Sequence, residues 1–537
     1  MPVAAVQDTD VFRRWPVKQD PIETPRKDTA AIPVVSGREA GKATEFRTVP
    51  RRRPVAGPAG REPARAPMLA AAAGILVCLG FLAAAAAGDL GHEALITLVV
   101  FVAAIWMWIF APVPDTYIAL GAAVALVVTG PIDTETFTGT LGDSVIWLLV
   151  GSFVIAAAVT ATGLSARIAA RVLTFARTPR QLMHLLTAVL LVTTFAIPAT
   201  SGRAALALPV FLALAAVLRH RPQLVLALAV GIPSVILFSA VGSLLGAGAH
   251  LITSEIVAAA TGTGYHFAQW LILGLPLAVV WSHLAAEIAL TLFADRTERR
   301  TPLTVPASAF AEAAGSDVRG PLSAPQRRVL GILAVVVVLW CTEGLHGVDP
   351  AIVAVLGALL ATAPKIGATT LPAAAKTIPW TLLLFMAATL CLGIALTTSG
   401  ASAWLAGLVF GPVRSLGSAA GAVFLVLTVV VSLSAHLMIQ SRSARSAVLV
   451  PIIVATAPAV GVDAATAAFV STAAAGFCHT MTSSAKPMAV FAASDTVAGF
   501  RPEHLLRYSA VLAPLSVALL LAFAVWIWPQ LGLGLTP

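Results

Sequence analysis

Charge is what this sequence has least of. Only 11% of its 537 residues are Asp, Glu, Lys or Arg, against roughly 25% in an ordinary soluble domain. Cysteine is scarce too. Cys78, Cys341, Cys391 and Cys478 lie far apart, with no CxxC pair and no metal-ligand spacing. That excludes a disulfide framework and a cysteine zinc site, and leaves them as small apolar side chains. There is no HExxH, no G-x-S-x-G and no acidic cluster at the end of an apolar run, so neither enzyme chemistry nor a metal or cofactor is expected. What is abundant is apolar: 58% of the residues are hydrophobic, with a mean hydropathy of +0.91. This excludes a soluble enzyme and a disordered chain, and it argues against a nucleic-acid partner despite a formal charge of +9.

Residues 1–67 stand apart. They are polar and carry 13 Lys/Arg against 8 Asp/Glu, too little apolar surface to fold alone. Arg51, Arg52, Arg53, Arg61 and Arg65 precede the first apolar run. They read either as a cytoplasmic anchor on anionic lipid or as a solvated linker. From Met68 the apolar runs follow closely: 68–87, 94–111, 116–130, 144–162, 182–199, 203–218, 222–246, 268–293, 328–345, 350–364, 379–399, 417–440, 443–460, 464–482 and 504–528. In a bilayer these must be helices, because each segment has to satisfy its own backbone hydrogen bonds.

Arginine placement gives the orientation. Arg167, Arg171, Arg177 and Arg180 precede the fifth run, Arg219 and Arg221 follow the sixth, and 294–327 is rich in Arg. By the positive-inside rule all are cytoplasmic. The runs 182–199 and 203–218 then enter and leave on one side, which predicts a re-entrant hairpin turning at Thr200, Ser201 and Gly202. Residues 165–177 read as an amphipathic interfacial helix. The second half repeats the first. Ser201–Pro209 and Ser443–Pro451 share the pattern S-x-R-x-A-Φ-x-Φ-P, 242 residues apart. Counting spans reverses the direction of the second copy.

The expected fold is therefore an all-α polytopic membrane protein with two inverted repeats, about eleven transmembrane helices and two hairpins. Its divisions are a tail 1–67, a first repeat 68–293 with hairpin 182–218, a cytoplasmic linker 294–327, and a second repeat 328–537 with hairpin 417–460. The N-terminus is expected in the cytoplasm and the C-terminus outside the plasma or inner membrane. Inverted repeats with broken helices meeting near the midplane mark secondary transporters.

Over residues 68–530 the chain resembles the divalent anion/sodium symporter family. That family's hairpin tips carry a Ser-Asn-Thr-Ala-Thr type motif, and its broken helices often carry Gly-Thr-Pro-Pro-Asn. Here the tips read Ala199-Thr200-Ser201-Gly202-Arg203 and Ser441-Arg442-Ser443-Ala444-Arg445. The break positions look like Gly246–His250 and Thr482–Lys486. Asn is replaced throughout, and Arg stands at the fifth tip position in both copies. The resemblance implies tips that contact substrate carboxylates and help build sodium sites, an elevator motion and a homodimer. A fixed cation beside a sodium site would repel the ion, so these departures favour exchange or proton coupling over sodium symport.

The candidate substrate-binding residues are Thr200, Ser201, Gly202, Arg203, His250, Ser441, Arg442, Ser443, Arg445, Thr482, Ser483 and Lys486. A buried cation needs a partner, and an anionic substrate could be it; backbone carbonyls at the tips are the alternative. The hydroxyls could be ligands or could bond the preceding turn. His283 with Glu287, spaced i, i+4, and His436 and His479 are candidates for proton coupling or simply for packing. The function expected is secondary transport of a small anion, a dicarboxylate or similar oxyanion, with the lipid bilayer as the other partner. An anion channel with the same lining and a sodium-coupled symporter are the alternatives.

Overall fold

The computed structural model describes residues 65–86, 90–305, 320–492 and 499–536. The basic tail up to residue 64, Asp89, and Arg319 of the linker lie outside the described residues. Every regular element among the described residues is a helix. Ten helices there are long and apolar enough to cross a membrane, and three shorter apolar ones accompany them.

The helices fall into two series. The first runs 92–110, 115–129, 144–161, 164–173, 179–196, 200–217, 222–239, 248–261 and 267–293; helix 65–86 precedes it. The second runs 324–341, 350–362, 380–398, 401–414, 420–434, 442–456, 464–474, 486–492 and 502–522. Packing between the series is reciprocal. Helix 144–161 packs on 350–362, and their counterparts 380–398 and 115–129 pack on each other. Likewise 248–261 packs on 442–456, and 486–492 packs on 200–217. Each repeat thus covers apolar faces that the other leaves open.

Four boundaries differ from the sequence expectation. The first hairpin turns at Ile197–Ala199, so Thr200–Gly202 form the first turn of its second arm. Pro198 is the reason: the residue before a proline avoids the helical region, and Ile197 is extended at φ −134°. The second hairpin turns just ahead of Arg442, after a 3₁₀ turn at 435–437. Run 464–482 is helical only to Ala474. Helix 401–414, absent from the apolar runs, is the counterpart of the amphipathic helix 164–173. Each follows a left-handed glycine, Gly163 at φ 65° and Gly400 at φ 78°.

The linker is tied down at both ends. Arg221, nearly buried, meets Glu298 at 2.6 Å and donates to its carbonyl. Arg167 donates to Gln326 at 2.8 Å and to the carbonyls of Gly320 and Pro321. These two arginines act as structural clamps.

The crossing of 144–161 over 350–362 depends on small residues. A Cβ on Gly151 would stand 2.6 Å from the Ala354 carbonyl carbon. Small residues permit this approach in membrane helices. Gly151→Val should force the helices apart and lower stability by about 1–3 kcal/mol. Thermal unfolding of the detergent-purified chain would read this, with Gly121→Val, which meets nothing, as the control.

Candidate functional site

A helix broken inside a membrane exposes carbonyls that water cannot reach, and each must find a donor. Two such breaks occur among the described residues. Helix 222–239 gives way to 3₁₀ turns at 240–242 and 244–246, then resumes at Gly248. Helix 464–474 unwinds, passes a 3₁₀ turn at 482–484, and resumes at Lys486. The backbones match: Ala247 has φ −158°, ψ 148°, and Ala485 has φ −157°, ψ 142°. This corrects the sequence alignment by two residues. Lys486 corresponds to Gly248, and His250 corresponds to Met488.

The donors come from the hairpins. Arg203, fully buried, donates to the Ile236 carbonyl at 2.6 Å, to Ser239 Oγ at 2.8 Å and to Thr194 Oγ1 at 2.5 Å. Arg445, also fully buried, donates to the Phe477 carbonyl at 3.3 Å and to Cys478 Sγ at 2.9 Å. The symmetry-related arginines do related jobs: Arg203 caps the last turn of helix 222–239, and Arg445 meets the unwound segment that follows Ala474. Trp270 adds a bond to the Val241 carbonyl at 2.9 Å. Neither arginine lines the central cavity; each donates to protein acceptors through its Nη groups, while its buried Nε has no partner.

That cavity, of ≈ 970 Å³, lies between the two hairpin tips. Eight candidates line it: Thr200, Ser201, Gly202, Ser441, Arg442, Ser443, Ser483 and Lys486. Arg203, His250, Arg445 and Thr482 do not. Helices starting at Thr200, Gly248 and Arg442 all open onto it, so their positive dipole ends converge. At the first tip Ala199 provides no side-chain cap and adopts φ 74°, a strained value of the kind found at functional sites. At the second tip Ser441 caps Ala444 N–H.

Arg442 lines the cavity, as Lys486 does. Its Nη2 bonds His250 Nε2 at 3.1 Å, while its buried Nε and Nη1 have no partner. The tautomer of His250 follows from geometry. Its Nδ1 faces the Ser243 carbonyl at 2.9 Å, which can only accept. Nδ1 therefore carries the proton, and Nε2 is an acceptor for Arg442. His250 thus holds Arg442 from behind the cavity wall. Gly476 leaves room for this, since a Cβ there would stand 3.1 Å from Arg442 Nη2.

One charged lining residue escaped the sequence reading. Asp115 opens helix 115–129, where it reads as an ordinary span-end acid. In the fold it faces Ser441 and lies within Coulomb reach of Lys486. The i, i+4 pair His283 and Glu287 also gains unforeseen partners. His184 bonds both, at 2.8 and 3.0 Å, and Arg180 meets Glu287 at 3.0 Å. The spacing of Arg180 and His184, also i, i+4, is the signal that could have found them. His436 bonds Thr480 at 2.8 Å, and His479 stacks on Phe238; neither lines the cavity.

The profile described as the sodium:sulfate symporter transmembrane region matches residues 66–533. The chain belongs to the sodium:sulfate symporter family. A membrane protein of Cupriavidus necator is 27% identical to this family member over 314 residues, 57% of this chain and 60% of that protein. The match thus spans about 60% of that relative's length. Among solved structures, MtrF of Neisseria gonorrhoeae, described with a class of antimetabolite efflux pumps, aligns with a TM-score of 0.52 at 13% identity, over 84% of this chain and 97% of that one. The Alcanivorax borkumensis YdaH transporter, reported to have an unusual topology, aligns with a TM-score of 0.48 at 15% identity, over 83% and 100%. The family places this chain among multi-pass membrane transporters.

Arg203→Ala or Arg445→Ala should destabilise the protein by about 1–3 kcal/mol for each carbonyl left unsatisfied, with or without added anion. Arg442→Gln should unfold near the wild-type temperature. Thermal unfolding of the three variants separates the two roles.

Proposed function

We propose that this chain is a secondary active transporter of small anions, which bind between the hairpin tips. The observation that carries this reading is Arg442, a cation at the wall of the shared cavity with two buried N–H-bearing nitrogens unpartnered. A buried donor of this kind is costly unless something accepts from it. Arginine grips carboxylate, sulfate or phosphate through two parallel hydrogen bonds. Hydroxyls of Thr200, Ser201 and Ser443 and the converging helix N-termini supply neutral donors around it. Lys486 adds a second positive charge.

Alternating access in this reading moves the hairpins and broken helices as a unit against the remaining helices, an elevator motion within a homodimer. Substrate neutralises Arg442, so the loaded site crosses the apolar barrier more easily than the empty one. That favours exchange or proton coupling. A cation fixed at the tip, where the family resemblance implies Asn, works against sodium coupling. Sodium symport is the second reading, favoured by the family's own description.

The test is uptake of labelled succinate or sulfate into proteoliposomes. Uptake should be saturable, accelerated by anion on the far side and unchanged when sodium is replaced by choline. Arg442→Gln should reduce it at least tenfold. A linear, unsaturable flux would indicate a channel. Strict sodium dependence would overturn the coupling, and unchanged flux in Arg442→Gln would overturn the site.

A further inference from the structure

Four side chains that the cavity does not use meet between helix 179–196, the first arm of the first hairpin, and helix 267–293. His184 Nδ1 lies 2.8 Å from His283 Nδ1, and His184 Nε2 lies 3.0 Å from Glu287 Oε2. Arg180 Nε donates to the same Glu287 oxygen at 3.0 Å. The i, i+4 spacing puts Arg180 and His184 on one face of the first helix, and His283 and Glu287 on one face of the second. The side chains of His184 and Glu287 are 30% and 32% exposed, so protons from solution reach them.

The bonds fix where the protons sit. A carboxylate oxygen that takes bonds from a guanidinium and an imidazole is ionised and only accepts. His184 therefore carries a proton on Nε2. Two facing Nδ1 atoms need one proton between them, because one ring must donate and the other accept. When both rings are neutral, His184 has its proton on Nε2, so His283 Nδ1–H donates to His184 Nδ1. A first added proton goes to His283 Nε2, and the bond between the rings survives it. A second puts an N–H on each side of the 2.8 Å gap. Two imidazolium donors cannot bond each other, and their charges repel.

The neighbouring elements do little to offset that repulsion. Helices 144–161 and 222–239, both packed on helix 179–196, carry no charged residue. Arg203 of helix 200–217 bonds the Ile236 carbonyl, and Arg167 and Arg171 of helix 164–173 bond the Gly320 carbonyl. On helix 296–300, Arg299 bonds Thr291, one turn past Glu287, and Glu298 pairs with Arg221. Helix 502–522 sets His504 against Phe293 and Tyr508 on the Ala285 carbonyl. Arg327 and Arg328 of helix 324–341 bond the carbonyls of Leu322 and Lys365. Within the cluster Arg180 and Glu287 already cancel, so each added proton is a net charge.

We propose that His184 and His283 form an acid-sensitive latch that fastens the first hairpin to helix 267–293. The latch is closed at neutral pH and tolerates one added proton. The second proton enters only when the rings separate, which frees the start of the hairpin's first arm. The hold is therefore present above the ordinary histidine range, about 6.5, and is lost as pH falls below it. Because this hairpin carries Thr200, Ser201 and Gly202 of the cavity wall, the latch ties the anchoring of the transport site to acidity on the arginine-rich side. It does so whatever the substrate is.

Hydrogen exchange tests this on the purified full chain in nanodiscs, between about pH 7.5 and about pH 5.5. Protection of residues 179–196 is read relative to helix 350–362, which has no titratable side chain. In the wild type the relative protection should fall at least tenfold on acidification. In His184→Gln and in His283→Gln, where two charges cannot face each other, it should fall less than threefold. His220→Gln, at an exposed histidine in the turn after helix 200–217, should behave as the wild type does. Where one of the two glutamine variants does not fold, the other decides. Protection that holds at acid pH in the wild type overturns the latch. An equal loss in the wild type and a folded glutamine variant also overturns it, because the titrating group then lies elsewhere.

Discussion

The requirement that every buried backbone carbonyl find a donor governs the centre of this protein. Two helices break inside the membrane-embedded core, and an unsatisfied carbonyl there costs about 1–3 kcal/mol or more. Arg203 and Arg445 reach from the hairpins to supply the donors, with Trp270 assisting at the first break. Each bond spans about thirty residues of sequence, so the bonds that satisfy the breaks also hold each hairpin against its broken helix.

Against that symmetric scaffold the chemistry is asymmetric. The capping arginines occur in both repeats, whereas Arg442 and Lys486 occur in one. His250, on the first repeat's broken helix, uses its proton on Ser243 and its lone pair on Arg442. A residue of one repeat thereby orients the cation of the other. Duplication built the container, and divergence at a few positions set its charge.

Much of the fold was legible in one dimension. The S-x-R-x-A-Φ-x-Φ-P pattern marked both hairpins because the same backbone needs the same residues in each copy. Helix 401–414 was missed because it lacks paired arginines like Arg167 and Arg171, which made its counterpart 164–173 visibly amphipathic. The hairpin turn was placed three residues late because Thr200–Gly202 look like a loop, while Pro198 is what ends the helix. The register of the second break was misplaced because its polar residues, Thr482 to Ser484, resemble a binding motif more than the 3₁₀ turn they form.

Hydropathy, arginine distribution and the internal repeat are properties of the chain read in order, so the sequence by itself determined a polytopic helical protein with two related halves and cationic hairpin tips. It could not rank those cations. Whether an arginine is free to hold a ligand depends on which acceptors lie within about 3 Å of it, and the partners of Arg203, Arg445 and Arg442 come from other segments. Tertiary structure tied two of them to acceptors away from the cavity and left the third, backed by His250, among the residues that line it.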